Sequence, residues 1–374
     1  MSPENAITET DMQPLKIAVA CGGTGGHVMP GMATAMVLRD RGHHVTLWLT
    51  GKEVEDRSAS EWNGPIIRVA ARGFPNSFSL KGLTAAWQLR RSAQECRTLM
   101  EQEGCDVLLA MGSYASAGPV WAARKLKIPY VLHEANVLPG RAVKLFARRA
   151  SAVACHFEGT FFYLSKRNLH ITGMPLRKTL YAEDQPALEL PDQDRFTLLV
   201  MGGSAGAHVL NEVCTEAVAA LAARGRAPQV IHLTGAADEE WVRERYEEAK
   251  VSAWVQPFSA TMAPLYRAAN VAVCRAGAST CAELSLFGLP GLLVPYPHAA
   301  NDHQTANARA LERQGAVDVV PESDLNAAWL SDYIEASMNS TKRLEKMRRA
   351  LQQVTPADGA ERLADLVERC GRAE

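Results

Sequence analysis

The chain contains no apolar run approaching the roughly 20 residues that a helix needs to cross a bilayer. That excludes a helical integral membrane protein. It has no Cys-x-x-Cys pair: the eight cysteines (21, 96, 105, 155, 214, 274, 281 and 370) mostly sit inside apolar runs. They read as reduced core thiols of a cytoplasmic protein, not as a disulfide frame or a zinc site. The segment 1–14 is polar and mildly acidic, without the basic-then-apolar order of a secretory signal, and is expected to be a disordered tail. The net charge of −1 carries no basic surplus of the kind nucleic-acid binding requires, so no such partner is expected. No short-period repeat is present.

A chain of 374 residues suits two domains. With 47% apolar and 22% charged residues, its composition is that of a soluble globular protein. Short β-rich runs alternate with helical patterns, which predicts parallel sheets built from βαβ units. Strands are expected at 15–20, 44–49, 65–70, 105–111, 129–133 and 151–155, then at 196–201, 229–234, 252–256, 270–274, 290–294 and 316–320. Helices are expected at 29–41, 82–103, 138–149, 208–223, 238–249, 279–287, 303–314 and 324–336. The prolines and acids of 175–195 mark a linker between a first domain, 15–174, and a second, 196–350. The apolar face within 340–371 gives the tail 351–374 a means of packing back on the first domain.

One local pattern occurs twice. Cys21-Gly22-Gly23-Thr24-Gly25-Gly26-His27 follows the first apolar strand, and Met201-Gly202-Gly203-Ser204-Ala205-Gly206-Ala207 follows the first strand of the second half. A buried strand, a glycine turn and a helix start bring several N–H groups and the positive helix end together, which suits an anion. Neither turn completes Gly-x-Gly-x-x-Gly. Neither following strand ends in the acid that holds a dinucleotide ribose, and no Gly-Lys-Ser/Thr follows. An NAD-dependent oxidoreductase and a triphosphate-binding loop are therefore disfavoured.

More motifs fall at expected strand ends. They are Gly112-Ser113-Tyr114, His133-Glu134-Ala135-Asn136, Gly173-Met174-Pro175-Leu176-Arg177, Cys274-Arg275-Ala276-Gly277 running into Glu283, and Pro295-Tyr296-Pro297-His298 leading to Asn301-Asp302-His303-Gln304-Thr305-Ala306-Asn307-Ala308. Together these closely resemble the MurG family of bacterial glycosyltransferases. That family moves N-acetylglucosamine from UDP onto lipid I to form lipid II, in peptidoglycan synthesis. The resemblance runs from about residue 16 to about residue 362, with the motifs in the same order. It implies an α/β fold of two Rossmann-like domains whose parallel sheets face each other across a cleft (the GT-B type), with the donor held mainly by the second domain and the acceptor by the first.

The resemblance also implies roles for residues. Ser204 and Arg177 would contact the donor phosphates, although Arg177 also fits a solvated linker arginine. Glu283 would hold the ribose hydroxyls; by its expected place in the first helical turn it also fits a cap. Ala278, Ser279, Thr280, Cys281 and Ala282 would line the donor, the backbone at Ser259 would meet uracil, and Gln304 would bond the sugar. His303 is a secondary candidate, and Arg275 reads equally as a structural ion pair. In the first domain Thr24, Gly25 and Gly26 would face the donor, Asn136 would reach the transferred sugar, and Tyr114 and His133 would lie on the acceptor side. His27 is the candidate general base; orienting phosphate or another catalytic group is the competing role. Glu134 and His133 are alternative bases or supports.

No metal is expected. Asp192-Gln193-Asp194 precedes its strand and so lies at the edge away from the ligands. The partners implied are UDP-N-acetylglucosamine, lipid I and the anionic inner-membrane surface, which the first domain would touch from the cytoplasmic face as a peripheral protein. Residues 1–175 hold 20 Lys and Arg against 14 Asp and Glu, whereas 176–374 hold 20 against 27. Apolar anchors interleaved with cations in 72–91, and Arg141, Lys144 and Arg148 on helix 138–149, fit such a contact. Met174 and Ser113 depart from the family's frequent asparagine and glycine. A related transferase with another lipid acceptor and a non-catalytic UDP-sugar-binding scaffold remain as alternatives.

Overall fold

The computed structural model describes residues 13–69, 80–164, 168–192, 194–203, 206–354 and 356–373, with only the backbone of 80–88. The expected disordered tail therefore falls almost entirely outside the described residues, as do Ser204 and the stretch 70–79.

The first domain carries strands β1 (Lys16–Ala20), β2 (His44–Leu49), β3 (Ile66–Arg68), β4 (Val107–Ala110), β5 (Tyr130–Glu134), β6 (Ala152–Cys155) and β7 (Leu169–Ile171). Its helices are α1 (Gly25–Asp40), α2 (Glu53–Ser58), α3 (Leu80–Glu103), α4 (Ala117–Leu126) and α5 (Arg141–Phe146). The second domain has strands β8 (Thr197–Met201), β9 (Gln229–Leu233), β10 (Ala253–Gln256), β11 (Val271–Cys274), β12 (Gly291–Leu293) and β13 (Asp318–Val319). Helices α6 (His208–Ala223), α7 (Glu239–Glu248), α8 (Ala263–Ala268), α9 (Ala278–Phe287), α10 (His303–Glu312), α11 (Ala327–Met338) and α12 (Thr341–Leu351) surround them, and α13 (Gly359–Arg372) closes the chain.

Strand order is β3-β2-β1-β4-β5-β6-β7 in one sheet and β10-β9-β8-β11-β12-β13 in the other. Every strand pair is parallel. Alternate side chains of each strand enter different cores, which is why these strands read as unbroken apolar runs. In β1, Ile17 and Val19 pack with Leu363 and Val367 of α13, whereas Ala18 and Ala20 face the side of Cys96 and Val120. In β8, Leu199 and Met201 share a core with Cys281 and Leu284 of α9, and Leu198 and Val200 one with Leu210 of α6 and Leu330 of α11.

Four elements escaped the sequence reading. α4 carries Gly118 and Pro119, a pair that reads as a turn; yet proline is tolerated in a first helical turn. Gly118 also has a packing role, since a Cβ there would meet Ser92 Oγ at 2.6 Å. α8 has proline in its first turn as well. α2 is six mostly charged residues without apolar period, and β7 is three residues long. Helix 138–149 is shorter than expected: α5 ends at Phe146 and a 3-10 turn takes over at Ala147.

The last helix lies on the first domain, although the chain reaches it from the second. His43 Nε2 pairs with Glu368 at 2.9 Å and Arg41 with Asp365 at 2.7 Å. Gly359 packs under Met174, whose carbonyl would stand 2.5 Å from a Cβ. Contact also runs the other way: Val137 and Phe157, from the loops after β5 and β6, are buried within the second domain's core.

Candidate functional site

Each sheet reverses its winding at one strand pair, β1/β4 in the first domain and β8/β11 in the second. Loops leaving such a pair diverge to opposite faces, so a crevice opens at the carboxyl ends of the strands. Both glycine turns occupy these positions.

In the first turn Gly23 has φ +125°, a conformation open to glycine but strained for other residues. Its N–H donates to Glu55 Oε1 at 2.6 Å. Glu55, fully buried on α2, also accepts from the amides of Thr50 (2.7 Å) and Gly51 (2.9 Å) and from the Thr50 hydroxyl. Burial acts to raise its pKa, but these donors hold the carboxyl below its ordinary value. An acid does follow β2, then, one short helix late, and it faces the loop. Ser113 ties the neighbouring turn in: its hydroxyl donates to the Gly22 carbonyl and accepts from Ala115 N at 3.0 Å. Tyr114 stands beside Gly23, with Lys52 Nζ 5.1 Å from its ring centre.

α1 begins at Gly25, four residues before the expected start, so Gly25, Gly26 and His27 form its first turn. The amides of Gly25 and Gly26 have no carbonyl of their own helix to reach. Thr24, at the N-cap, turns its hydroxyl to His27 Nδ1 at 2.9 Å instead of capping. His27 is half-buried; burial and the nearby His303 bring its pKa down to about 4, so its ring is neutral at physiological pH. His303 belongs to the second domain. The two helix starts therefore face one another.

His133 is corrected. It is 1% exposed, bonds the Gly173 backbone and lies behind His27, so it does not line an acceptor surface. Its pKa is lowered to about 4 by burial first, with His27 adding to the effect. Glu134 is buried too, and burial pushes it up to about 7. Both its oxygens are occupied, by Asn136 N at 2.9 Å and Gly140 N at 2.8 Å. Its geometry is that of a clamp on the loop 135–140.

In the second turn Gly203 and Gly206 take positive φ, and Gly206 lies so close to Thr234 that a Cβ would stand 2.2 Å from its carbonyl. α6 starts immediately after. Its first residue, His208, pairs with Asp238 at 2.9 Å, and that bond raises the imidazole pKa.

α9 starts at Ala278, which puts Glu283 in the second turn, beyond the amides a cap would serve. The capping role is excluded. Glu283 instead accepts from Tyr266 OH at 2.6 Å, and burial raises its pKa against the pull of Tyr266 and Arg177. Arg177 is thus near Glu283 while its NH1 lies 3.4 Å from Glu61 across the domain gap. Ala278, Ser279 and Thr280 are half-buried at the helix start. Cys281 and Ala282 are corrected: both side chains face core, and the Cys281 amide is spent on Gly277 at 2.9 Å.

Gln304 Oε1 accepts from Ala276 N (3.2 Å) and Tyr296 N (2.9 Å), fixing the loops after β11 and β12. Arg275 is structural: its guanidinium bonds the Val294 carbonyl at 3.2 Å and Glu322, over the Tyr296 ring. Ser259 lies past β10, half-buried, its hydroxyl on the Thr261 carbonyl at 2.9 Å. Asp192 and Asp194 are exposed at the amino end of β8. Among the described residues no group of three or more His, Cys, Asp or Glu is placed to hold a metal. No described helix is long and apolar enough to cross a membrane.

Sequence reasoning missed Glu55 and Asn307. Asn307, on α10, is completely buried and bonds Asn136, Val137 and Ala276. Its signals in sequence were membership of the motif 301–308, where it was given no role, and a spacing of three from Gln304, which puts both on one helix face.

The glycosyltransferase family 28 N-terminal domain matches residues 17–155, and the family's C-terminal domain matches 197–363. A UDP-N-acetylglucosamine--N-acetylmuramyl-(pentapeptide) pyrophosphoryl-undecaprenol N-acetylglucosamine transferase of Shewanella frigidimarina is 36% identical over 94% of this chain and 95% of its own. The Geobacter sulfurreducens protein of the same name is 35% identical over 94% and 97%. Among solved structures, MurG of Acinetobacter baumannii superposes with a TM-score of 0.78 at 27% identity, over 95% of this chain and all of that one. A UDP-N-acetylglucosamine 2-epimerase from Listeria monocytogenes reaches 0.67 at 13% identity over 95% and 96%, which extends the shared GT-B fold and nothing more.

Proposed function

This chain belongs to the UDP-N-acetylglucosamine--N-acetylmuramyl-(pentapeptide) pyrophosphoryl-undecaprenol N-acetylglucosamine transferases of glycosyltransferase family 28, and on that premise we propose how its cleft works. The enzyme moves N-acetylglucosamine from UDP-N-acetylglucosamine to the muramyl 4-hydroxyl of lipid I, forming lipid II for peptidoglycan synthesis. The observation that carries the scheme is that the start of α1, at the first glycine turn, meets the start of α10 of the second domain, with His27 and His303 close enough to interact.

The donor diphosphate lies against the second glycine turn and the start of α6, where Ser204, backbone N–H groups and the helix dipole favour negative charge. Arg177 meets the charge that grows on departing UDP. Glu283, steadied by Tyr266, accepts from the ribose hydroxyls, and the backbone near Ser259 meets the base. With the Gln304 amide oxygen engaged by two loop amides, its NH2 is the part that meets the sugar. No step requires a bound metal.

On the acceptor side, His27 with Nδ1–H donating to Thr24 keeps an unprotonated Nε2. The lipid I hydroxyl oxygen attacks the anomeric carbon, its proton passes to Nε2, and the bond to UDP breaks with its electron pair leaving on phosphate. One displacement inverts the centre, from an α-linked donor to a β-linked product.

The lipid-borne acceptor calls for a peripheral contact with the anionic cytoplasmic face of the membrane. In a parallel sheet all loops that follow strands lie at one edge, here the cleft edge. After β5 and β6 that edge presents Leu145, 61% exposed, and Phe162, 89% exposed, beside exposed Arg141, Lys144 and Arg148. Apolar anchors rimmed by cations suit such a surface. Phe74 and Phe78 of the expected 72–91 anchor lie outside the described residues, and Leu89 packs partly into the core.

A radiolabelled transfer assay tests the reading, with lipid I and diacylglycerol as competing acceptors in anionic or zwitterionic vesicles. Lipid I alone should be labelled, and the enzyme should sediment with the anionic vesicles. Glu283→Ala should raise the donor KM about tenfold, the scale of one lost charged hydrogen bond. Labelled diacylglycerol, or no transfer at all, would refute the acceptor assignment.

A further inference from the structure

Asn307 is a fully buried amide that reaches from the second domain into the first. Its Oδ1 accepts from Val137 N at 3.0 Å. Its Nδ2 donates to Asn136 Oδ1 at 3.0 Å and to the Ala276 carbonyl at 3.3 Å. The backbone partner removes the usual ambiguity of an amide: an N–H can only donate, so the atom facing Val137 is oxygen. The Asn307 NH2 must then face Asn136, and Asn136 must answer with its carbonyl oxygen. That leaves the Asn136 NH2 pointing away, with Glu134 Oε1 at 3.4 Å as its one weak partner among the described residues.

We propose that Asn307 is a positioning residue that sets the Asn136 amide, so that Asn136 meets the transferred sugar or its phosphates as a hydrogen-bond donor. The same side chain locks the loop 135–140 to Ala276, whose own N–H bonds Gln304. One buried group thereby registers the acceptor-side loop against the donor-side loops. Val137 seated in the second domain's core holds that register from the other side. The inference rests on the transfer reaction above and adds to it a residue that need not touch substrate.

The test is a double-mutant cycle in the full-length enzyme, measured by lipid II formation with calorimetric UDP binding alongside. Asn307→Ala should lower kcat about 10- to 100-fold, with donor KM within about twofold. Combined with Asn136→Ala it should cost little beyond Asn136→Ala alone, because both remove one function. Asn307→Asp keeps the acceptor for Val137 and turns the other oxygen against Asn136. It should lose kcat similarly while staying folded, which covers a failure of the alanine variant to fold. Additive losses in the cycle, or an Asn307→Asp enzyme with normal kcat, would overturn the proposal. Absence of transfer in wild type would instead remove the reaction itself, and so is distinguishable.

Discussion

The two glycine turns share a pattern and a topological position, yet the acid beside each is engaged differently. Behind the first lies Glu55, whose carboxylate already occupies Gly23 N–H and the amides of Thr50 and Gly51. At the second, Asp238 is engaged away from the glycine loop, by His208, the first residue of α6, and by Asn211. A diphosphate approaching the first turn meets a buried carboxylate that already holds the loop amides; approaching the second it meets a carboxylate turned to a histidine and an asparagine. A strand–turn–helix unit sets up an anion site, but the next element along the chain decides whether an internal group fills it. That contrast supports the proposed placement of the donor at the second turn, with His27 at the first facing an uncharged hydroxyl.

The largest effect should come from the working group of the first turn. His27→Ala should cut kcat about 10²- to 10⁴-fold, the usual contribution of a positioned base. UDP binding, measured by calorimetry, should stay within about twofold because the donor is held elsewhere. Since the ring's pKa is lowered to about 4, the acid limb of kcat/KM should fall near that value, not near the ordinary histidine range. A variant that loses UDP affinity as strongly as turnover would erase the division between the turns.

Next comes the internal anion. Glu55→Gln puts an NH2 against backbone amides, at a cost of about 2–3 kcal/mol, seen as a lower thermal midpoint at pH 7. The folded pKa of Glu55 is depressed, so its contribution is present above the unfolded carboxylate value and fades as pH falls through the folded one. The gap between wild type and variant should therefore narrow in acid. A gap that is constant with pH would mean that the carboxylate charge is not what braces the turn.

Much of this frame was legible in the sequence. Strands such as β1, β4 and β8 are buried on both faces and so appear as apolar runs, and the glycine turns announce the switch points. What stayed hidden depends on partners far away in sequence. Glu55 lies in a six-residue charged helix with no apolar period, and its partner Gly23 is 32 positions away. Asn307 looks like any polar residue of an exposed helix until the first domain, 170 positions back, covers it. Glu283 was placed in the first turn although a helix starting at 279 already puts it fifth, and its partner Tyr266, 17 positions away, is invisible to pattern. Cys281 and Ala282 were named with their neighbours because a motif does not say which side of the helix faces the core.

The smallest effect probes the bracing itself. Ser113 holds the first turn by donating to the Gly22 carbonyl, and its Oγ would lie 3.0 Å from a Cβ on Gly23. The same hydroxyl accepts from Ala115 N at 3.0 Å and so starts the 3-10 turn bearing Tyr114. Ser113→Gly removes both bonds and frees the chain, which should cost about 1 kcal/mol of stability. Tyr114 and the first turn should loosen together, raising the lipid I KM about two- to threefold, a shift of well under 1 kcal/mol. The donor KM should not move, because nothing at the second turn touches Ser113. Equal shifts in both constants would mean that the turns relax as one unit, and the contrast between their acids would then be no guide to which substrate each one holds.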